Sequence, residues 1–164
     1  MFKIVSISII GLVLLGCNAN PKVSHSMFQS VSKEEAVFVM KTKDKKHCAR
    51  CGMDLAKYYK TNHSAKIGKT TYQYCSIHCL EDHLGDGVAL KNPQVVDVKS
   101  LKFISIKDAY YVVGSSKKGT MSKVSKYAFL SLEEAKKFQK NYGGKIMRFN
   151  GALEEAKKDF KYYK

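Results

Sequence analysis

The chain has 164 residues and carries 29 Lys and Arg against 14 Asp and Glu, a formal net charge of +15. This length fits one compact domain or two very small ones and excludes a multidomain enzyme. Its 45% hydrophobic residues, with 10 Tyr and 8 Phe, exclude a disordered polar tail, and its 5 cysteines are too few for a disulfide-dense scaffold.

An apolar run follows Lys3 and ends in Leu14-Leu15-Gly16-Cys17, which is typical of a bacterial lipoprotein signal. An ordinary signal peptide or a membrane anchor is the alternative. We expect residues 1–16 to be removed, Cys17 to be acylated, and residues 17–46 to form a tether. The protein would then be anchored to a membrane on the periplasmic side of a bacterium, where nucleic acid is not an expected partner.

Residues 47–100 have the pattern of a ββαβ unit. The β-branched and aromatic residues of Tyr58–Tyr74, interrupted at Gly68-Lys69, predict a β-hairpin. Ser76 is a candidate N-cap for a helix from Ile77 to about Leu84. The apolar stretch Val95–Val98 predicts the strand that closes the unit.

Residues 101–164 repeat this order and add a C-terminal helix. Strands are predicted at Lys102–Ile106, Ala109–Val113, Lys126–Leu130 and Lys145–Phe149. Ser131 begins a capping box for a helix that ends at Gly143-Gly144. The final amphipathic helix is predicted from about Ala152 to Tyr163.

The two halves align at an offset of about 55 residues. Tyr72–Ser76 then matches Tyr127–Ser131, and each is an aromatic strand that leads into a helix beginning after Ser. We therefore predict an α+β fold of two small tandem ββαβ units behind the lipoprotein signal and the tether. Because only the first unit contains cysteine pairs, we expect it to carry the chemistry and the second to serve chiefly as scaffold.

Four cysteines form two close pairs. Cys48 and Cys51 belong to the motif CARCGM, and Cys75 and Cys79 belong to CSIHC. The pairs predict disulfides, a structural zinc site or a soft-metal site for Cu(I). Met53 favours Cu(I), because a thioether is a poor ligand for zinc. The start of the predicted helix is expected to favour the thiolate of Cys75.

Other side chains are candidates for completing a metal site. His47, His63, His78 and His83 offer ring nitrogens, and Met121 of the second half offers a further thioether. The chain contains no HExxH, GxSxG or P-loop motif, and a CxxC redox role would need a thioredoxin-like context that is absent around Cys48. An enzyme is therefore not expected.

The chain resembles the NosL family, the accessory lipoproteins of nitrous oxide reductase maturation. The resemblance rests on the lipobox and on CARCGM, YKTNHSAKIGKTTYQYCSIHC, DAYYVVGSSKKGTM, KYAF and the helix that ends in YGG. The first half also resembles the YHS and TRASH metal-binding domains.

The resemblance implies a copper chaperone that delivers Cu(I) for the catalytic copper centre of nitrous oxide reductase. It also implies a fold of two ββαβ units related to organomercurial lyase. It places copper on Cys51 and Met53 and includes Met121 as a family feature. Cys75 and Cys79 depart from the simplest family pattern, so they either join a four-thiolate site or form a disulfide. The alternative is a treble-clef-like lipoprotein module that binds structural zinc or a heavy metal.

Overall fold

The computed structural model describes residues 27–160, which form two antiparallel sheets and three α-helices. The predicted signal peptide, Cys17 and the end of the predicted last helix lie outside the described residues. None of the helices among residues 27–160 has both the length and the apolar character needed to cross a membrane.

The first sheet has four strands in the order β2-β1-β3-β4. In chain order, this part of the fold contains β1 (His63–Ile67), β2 (Thr70–Tyr74), α1 (Ile77–Gly85), β3 (Lys91–Val96) and β4 (Phe103–Ser105). A 3-10 turn at Tyr59–Thr61 precedes β1. The predicted hairpin is confirmed, with Ile67 opposite Thr70. Gly68 has φ +58°, a left-handed conformation that glycine adopts without steric cost.

The second sheet has three strands in the order β6-β5-β7. Its elements are β5 (Tyr110–Val113), β6 (Lys126–Phe129), α2 (Leu132–Tyr142) and β7 (Lys145–Met147), followed by α3 (Phe149–Phe160). In both sheets the first strand lies between its hairpin partner and the strand that follows the helix. The predicted α+β fold with a repeated ββαβ topology is therefore confirmed.

Several element boundaries differ from the prediction. The strand predicted at Val95–Val98 is β3, which ends at Val96 because Asp97 turns toward the second sheet. The chain is helical from Phe149, so the last strand is shorter than predicted and α3 begins earlier than Ala152. Strand β4, predicted to belong to the second half, pairs with β3 and extends the first sheet.

The two helix starts differ in their capping. The Ser131 side chain accepts hydrogen bonds from the backbone N–H groups of Glu133 and Glu134, as its capping box predicts. Ser76 occupies the corresponding position before α1, but its side chain makes no capping hydrogen bond, so that part of the prediction is wrong. Its backbone is fully extended there, with φ −159°.

Part of the segment predicted as a tether packs against both halves. The Phe28 ring lies edge-on to Tyr127, with the ring centroids 5.1 Å apart. Gln29 is buried and donates to the carbonyl of Lys118 at 2.8 Å, and Met40 packs in the same apolar cluster as Cys75. Residues 28–40 therefore connect the second half to the core around the thiols.

The two sheets meet through a shared core and a buried aspartate. Ile77 and Val95 of the first half pack with Tyr111 and Ala128 of the second. The Asp97 carboxylate accepts from the N–H of Leu130 at 3.0 Å. Because each ββαβ unit is too small for a large core of its own, this shared burial stabilises both.

Buried His63 also lies between the halves and makes the fold sensitive to acid. Its Nδ1 lies 3.0 Å from the Thr61 carbonyl and its Nε2 lies 3.1 Å from the Tyr111 hydroxyl. A neutral ring donates to the carbonyl and accepts from the hydroxyl, so both contacts are satisfied without charge. Burial lowers the pKa of His63 from 6.5 to about 4.

We expect the His63 contribution to the free energy of unfolding to be complete above pH 6.5 and to be lost as the pH falls toward 4. The unfolded chain binds the proton first, and the loss approaches about 3 kcal/mol. Urea unfolding of wild type and His63→Gln between pH 4 and 7.5 measures it. An unchanged pH dependence of the free energy of unfolding in His63→Gln would contradict the prediction.

Candidate metal centre

The first thiol pair lies on a tight loop. The N–H of Cys48 donates to the carbonyl of Met53 at 2.8 Å, and the N–H of Gly52 donates back to the carbonyl of Cys48 at 3.0 Å. Gly52 has φ +73°, which a residue with a Cβ adopts only with strain. This loop leaves Cys48 buried and Cys51 exposed, so one thiol of the pair faces solvent.

The second thiol pair lies at the junction of β2 and α1. Cys75 follows β2 and Cys79 is one turn further on in α1, which places their Sγ atoms 3.8 Å apart. Both side chains are buried. The hydrogen bond from the N–H of Ala49 to the carbonyl of Gln73, 3.0 Å, holds the CARCGM loop against the end of β2.

The two pairs come together as one cluster. The Sγ atoms of Cys48, Cys51, Cys75 and Cys79 all lie within 4.8 Å of one another. All four are free thiols, and the Sγ distances of 3.5 Å between Cys51 and Cys75 and 3.8 Å between Cys75 and Cys79 are longer than a disulfide bond. The structure therefore holds the thiols in the arrangement of a metal site.

Two thioethers complete this sulfur cluster. The Sδ of Met53 lies 3.9 Å from the Sγ of Cys75. The Sδ of Met121 lies 3.7 Å from the Sγ of Cys75 and 3.2 Å from that of Cys79. The second half is therefore more than scaffold, because its loop between β5 and β6 supplies one of the six sulfur atoms.

The backbone of Met121 is strained. Its φ is +58°, a left-handed conformation that costs a residue with a Cβ about 1 kcal/mol or more. The residues on either side are held in place: the hydroxyls of Thr120 and Thr61 lie 2.8 Å apart, and the Ser122 hydroxyl donates to Asp159 at 2.7 Å. These contacts direct the thioether toward the thiols.

The Thr61 hydroxyl, which contacts the Thr120 hydroxyl, also lies 2.8 Å from the carbonyl of Cys75. It therefore connects the loop of Met121 to the second thiol pair. We expect Thr120→Val, which keeps the shape but removes the buried hydroxyl, to lower the free energy of unfolding by about 1 kcal/mol. Urea denaturation measures the change. Thr70→Val on the exposed start of β2 is the matched control and should change stability little; equal effects of the two variants would contradict the assignment.

The four thiols differ in acidity because they hydrogen-bond to one another. Interaction with the thiols of Cys75 and Cys79 lowers the pKa of Cys48, and interaction with the thiol of Cys75 lowers the pKa of Cys51 to about 7. The same bonds to Cys48, together with burial, raise the pKa of Cys75 and Cys79. The raised pKa of Cys75 runs against the prediction that the helix start favours its thiolate, because the neighbouring thiols and burial outweigh the effect of the helix start.

The histidines do not enter the sulfur cluster. His47 is exposed and pairs with Asp44, and both ring nitrogens of His63 are bonded elsewhere. The Nε2 of His78 lies 3.6 Å from Asp159, and the Nδ1 of His83 lies 2.8 Å from the Tyr74 hydroxyl. Among the described residues the grouped ligand atoms are those of cysteine alone, joined by the two thioethers.

Arg50 links the two sides of the cluster. Its Nε donates to Asp82 at 2.8 Å and its Nη1 donates to Asp86 at 2.8 Å, so the CARCGM loop is paired with α1. Sequence reasoning did not identify this residue or the hydroxyls that support Met121. The Arg within CARC and the acidic residues at 82 and 86, one helical turn apart, were the available indication.

The arrangement suits a soft metal ion. Four thiols and two thioethers are grouped together, with Cys51 exposed and both methionines half-buried. Sulfur ligands of this kind select Cu(I) or zinc over hard cations such as Mg²⁺.

Comparisons with known proteins show the family and the fold of this chain. No curated protein matches the sequence significantly. The crystal structure of the copper chaperone NosL from Shewanella denitrificans is similar in fold, with a TM-score of 0.54 and 22% sequence identity over 74% of this chain and 94% of that chain. The sequence profile of the NosL family matches residues 39–156, which include all six sulfur residues and both ββαβ units. The chain therefore belongs to the NosL family.

Proposed function

We propose that this protein is a copper chaperone, a carrier of Cu(I) and not an enzyme. The observation that supports the proposal is the presence of thioethers beside the thiols: Met53 and Met121 both lie within 4 Å of Cys75. Thioethers bind Cu(I) well and zinc poorly. The structure described from Shewanella denitrificans is also that of a copper chaperone.

A structural zinc or heavy-metal module is the second candidate. Four thiols within 4.8 Å of one another suit a tetrahedral zinc site. A closed zinc site of this kind has no use for thioethers, whereas here Met121 is held in a strained conformation that directs it at the thiols. The strain favours a metal that the thioether can bind.

The exposed thiol of Cys51 allows copper to enter and leave the sulfur cluster. Cys51 faces solvent and its pKa of about 7 makes a large fraction of it thiolate at neutral pH, so it can accept Cu(I) from a donor. The buried thiols then take up the ion as their protons leave. In the reverse step, a ligand of the recipient binds the ion at this exposed edge before the chaperone thiolates release it.

We further propose that the recipient is nitrous oxide reductase and its maturation machinery in the membrane, and that an acylated Cys17 anchors the chaperone on the periplasmic side. The lipobox and the family membership support these proposals. Loss of membrane association in Cys17→Ala cells would support the anchor, and an unchanged membrane fraction would contradict it.

The Cu(I) and zinc affinities of methionine variants test the choice between a copper carrier and a zinc module. We expect Met53→Leu and Met121→Leu each to lower the Cu(I) affinity by at least about tenfold and to leave zinc affinity unchanged. Competition with a coloured chelator under anaerobic conditions measures both. Met147→Leu, which lies away from the thiols in the shared core, is the matched control. Unchanged Cu(I) affinity in both methionine variants would favour the zinc module.

Delivery needs a cellular test. Cells that grow on nitrous oxide should, without this gene, produce a reductase with less copper, and the gene in trans should restore it. Unchanged copper content of the purified reductase in the deletion strain would overturn the delivery proposal, even if the protein binds Cu(I).

A further inference from the structure

The sulfur cluster has more ligands than one Cu(I) ion needs. Six sulfur atoms are grouped there, and a single Cu(I) takes no more than about four of them. At least two sulfur atoms would then lie beside the ion without binding a metal.

Cys75 stands at the centre of the group. Its Sγ lies 3.5 Å from Cys51, 3.9 Å from Met53, 3.8 Å from Cys79 and 3.7 Å from Met121. The four neighbours lie on three parts of the chain: two on the CARCGM loop, one in α1 and one on the loop between β5 and β6. A thiolate sulfur has three lone pairs, so Cys75 can bind two metal ions at once.

The distances describe two triangles that share this atom. The inner triangle joins Cys75, Cys79 and Met121 with edges of 3.8, 3.7 and 3.2 Å. The outer one joins Cys75 to Cys51 at 3.5 Å and to Met53 at 3.9 Å. A metal–sulfur bond of about 2.3 Å places neighbouring sulfurs of a trigonal site about 4.0 Å apart. The edges from Cys75, 3.5 to 3.9 Å, are close to this value, and the 3.2 Å edge between Cys79 and Met121 would lengthen when the ion binds.

We propose that the cluster binds two Cu(I) ions, an inner one on Cys75, Cys79 and Met121 and an outer one on Cys75, Cys51 and Met53, with the Cys75 thiolate bridging them. This inference rests on the proposed copper-carrier function and adds a second metal position to it. Buried Cys48, whose Sγ lies within 4.8 Å of those of Cys75 and Cys79, completes the inner position. Each ion enters as Cu(I), displaces thiol protons and undergoes no change of oxidation state.

The second ion also improves the charge balance of the site. Three of the four thiols are buried, and a buried thiolate is costly without an adjacent cation. One Cu(I) neutralises a single thiolate, whereas two neutralise twice as many. The outer ion lies beside the exposed thiol, so we expect it to exchange with partners while the inner ion stays.

Anaerobic titration of the full chain in detergent tests the proposal. Cu(I) is supplied from its complex with a coloured chelator, bound copper is counted per chain, and native mass spectrometry gives the copper content of the monomer. We expect two Cu(I) per monomer and copper–copper backscattering in the X-ray absorption spectrum. Cys51→Ser, at an exposed position, should reduce the count to one without unfolding the protein. Cys17→Ser, the matched control, should retain two.

The outcomes separate this inference from the proposed function. Saturation at one Cu(I), or two ions shared across a dimer, would overturn the binuclear site and leave the carrier function standing. No bound copper at all would overturn both. Two ions retained by Cys51→Ser would overturn the assignment of the outer position.

Discussion

Replacing Cys75 with serine is expected to lower the Cu(I) affinity by more than about 100-fold, beyond the range for residues that only support metal ligands. The Sγ of Cys75 is within 4 Å of four other sulfur atoms, so its loss disrupts every part of the cluster. A serine hydroxyl is a hard ligand that stays protonated and does not replace a thiolate for Cu(I). Competition with a Cu(I) chelator measures the affinity.

Cys17→Ser is the matched control for this change, and it should bind copper as tightly as wild type. The far-UV circular dichroism of Cys75→Ser should remain that of wild type, because Thr61 bonds the carbonyl of residue 75 and not its side chain. A folded Cys75→Ser protein with wild-type affinity would show that copper binds away from this cluster.

The second large effect is expected at Asp159, where the isosteric change to asparagine should lower the free energy of unfolding by about 3 kcal/mol. The Asp159 carboxylate accepts from the Lys126 ammonium at 2.6 Å. The Lys126 side chain is only 2% exposed, so the change leaves a buried positive charge without its counter-ion. Urea denaturation at neutral pH measures the loss.

Glu154→Gln in the same helix is the matched control. Glu154 pairs with Lys157 at 2.8 Å, but both side chains are solvent-exposed, so its loss should change stability little. Asp159 also holds Ser122, the neighbour of Met121, so Asp159→Asn should weaken Cu(I) binding as well. Equal stability of the two variants would show that the buried pair contributes nothing.

The local elements were largely predictable. The hairpin turn at Gly68 and the helix after Ser131 each depend on residues close in sequence, and the structure confirms both. Ser76 also stands at the N-cap position of its helix, but it lacks the acidic residues of the capping box and its side chain makes no capping hydrogen bond; the chain there packs around Cys75 and Cys79. Local rules therefore fail next to the site.

Pairings between distant residues were not predictable. The pairing of β4 with the first sheet depends on contacts with β3, and a short apolar strand carries no information about its partner. Nothing in the sequence distinguishes Thr61, Thr120 and Asp159 from other polar residues. Their importance comes from the burial of Thr61, Thr120 and Lys126, the partner of Asp159, because burial makes an unpaired polar group costly.

The sequence by itself determined the repeated ββαβ order, the two cysteine pairs and the family, because strand periodicity, turn residues and motif spacing are local properties. Only the tertiary structure decided which sulfurs meet. The contact between Cys75 and Met121 joins residues 46 positions apart and needs a strained backbone held by buried hydrogen bonds. The sequence contains six candidate sulfurs, and packing of the two halves brings them together around Cys75.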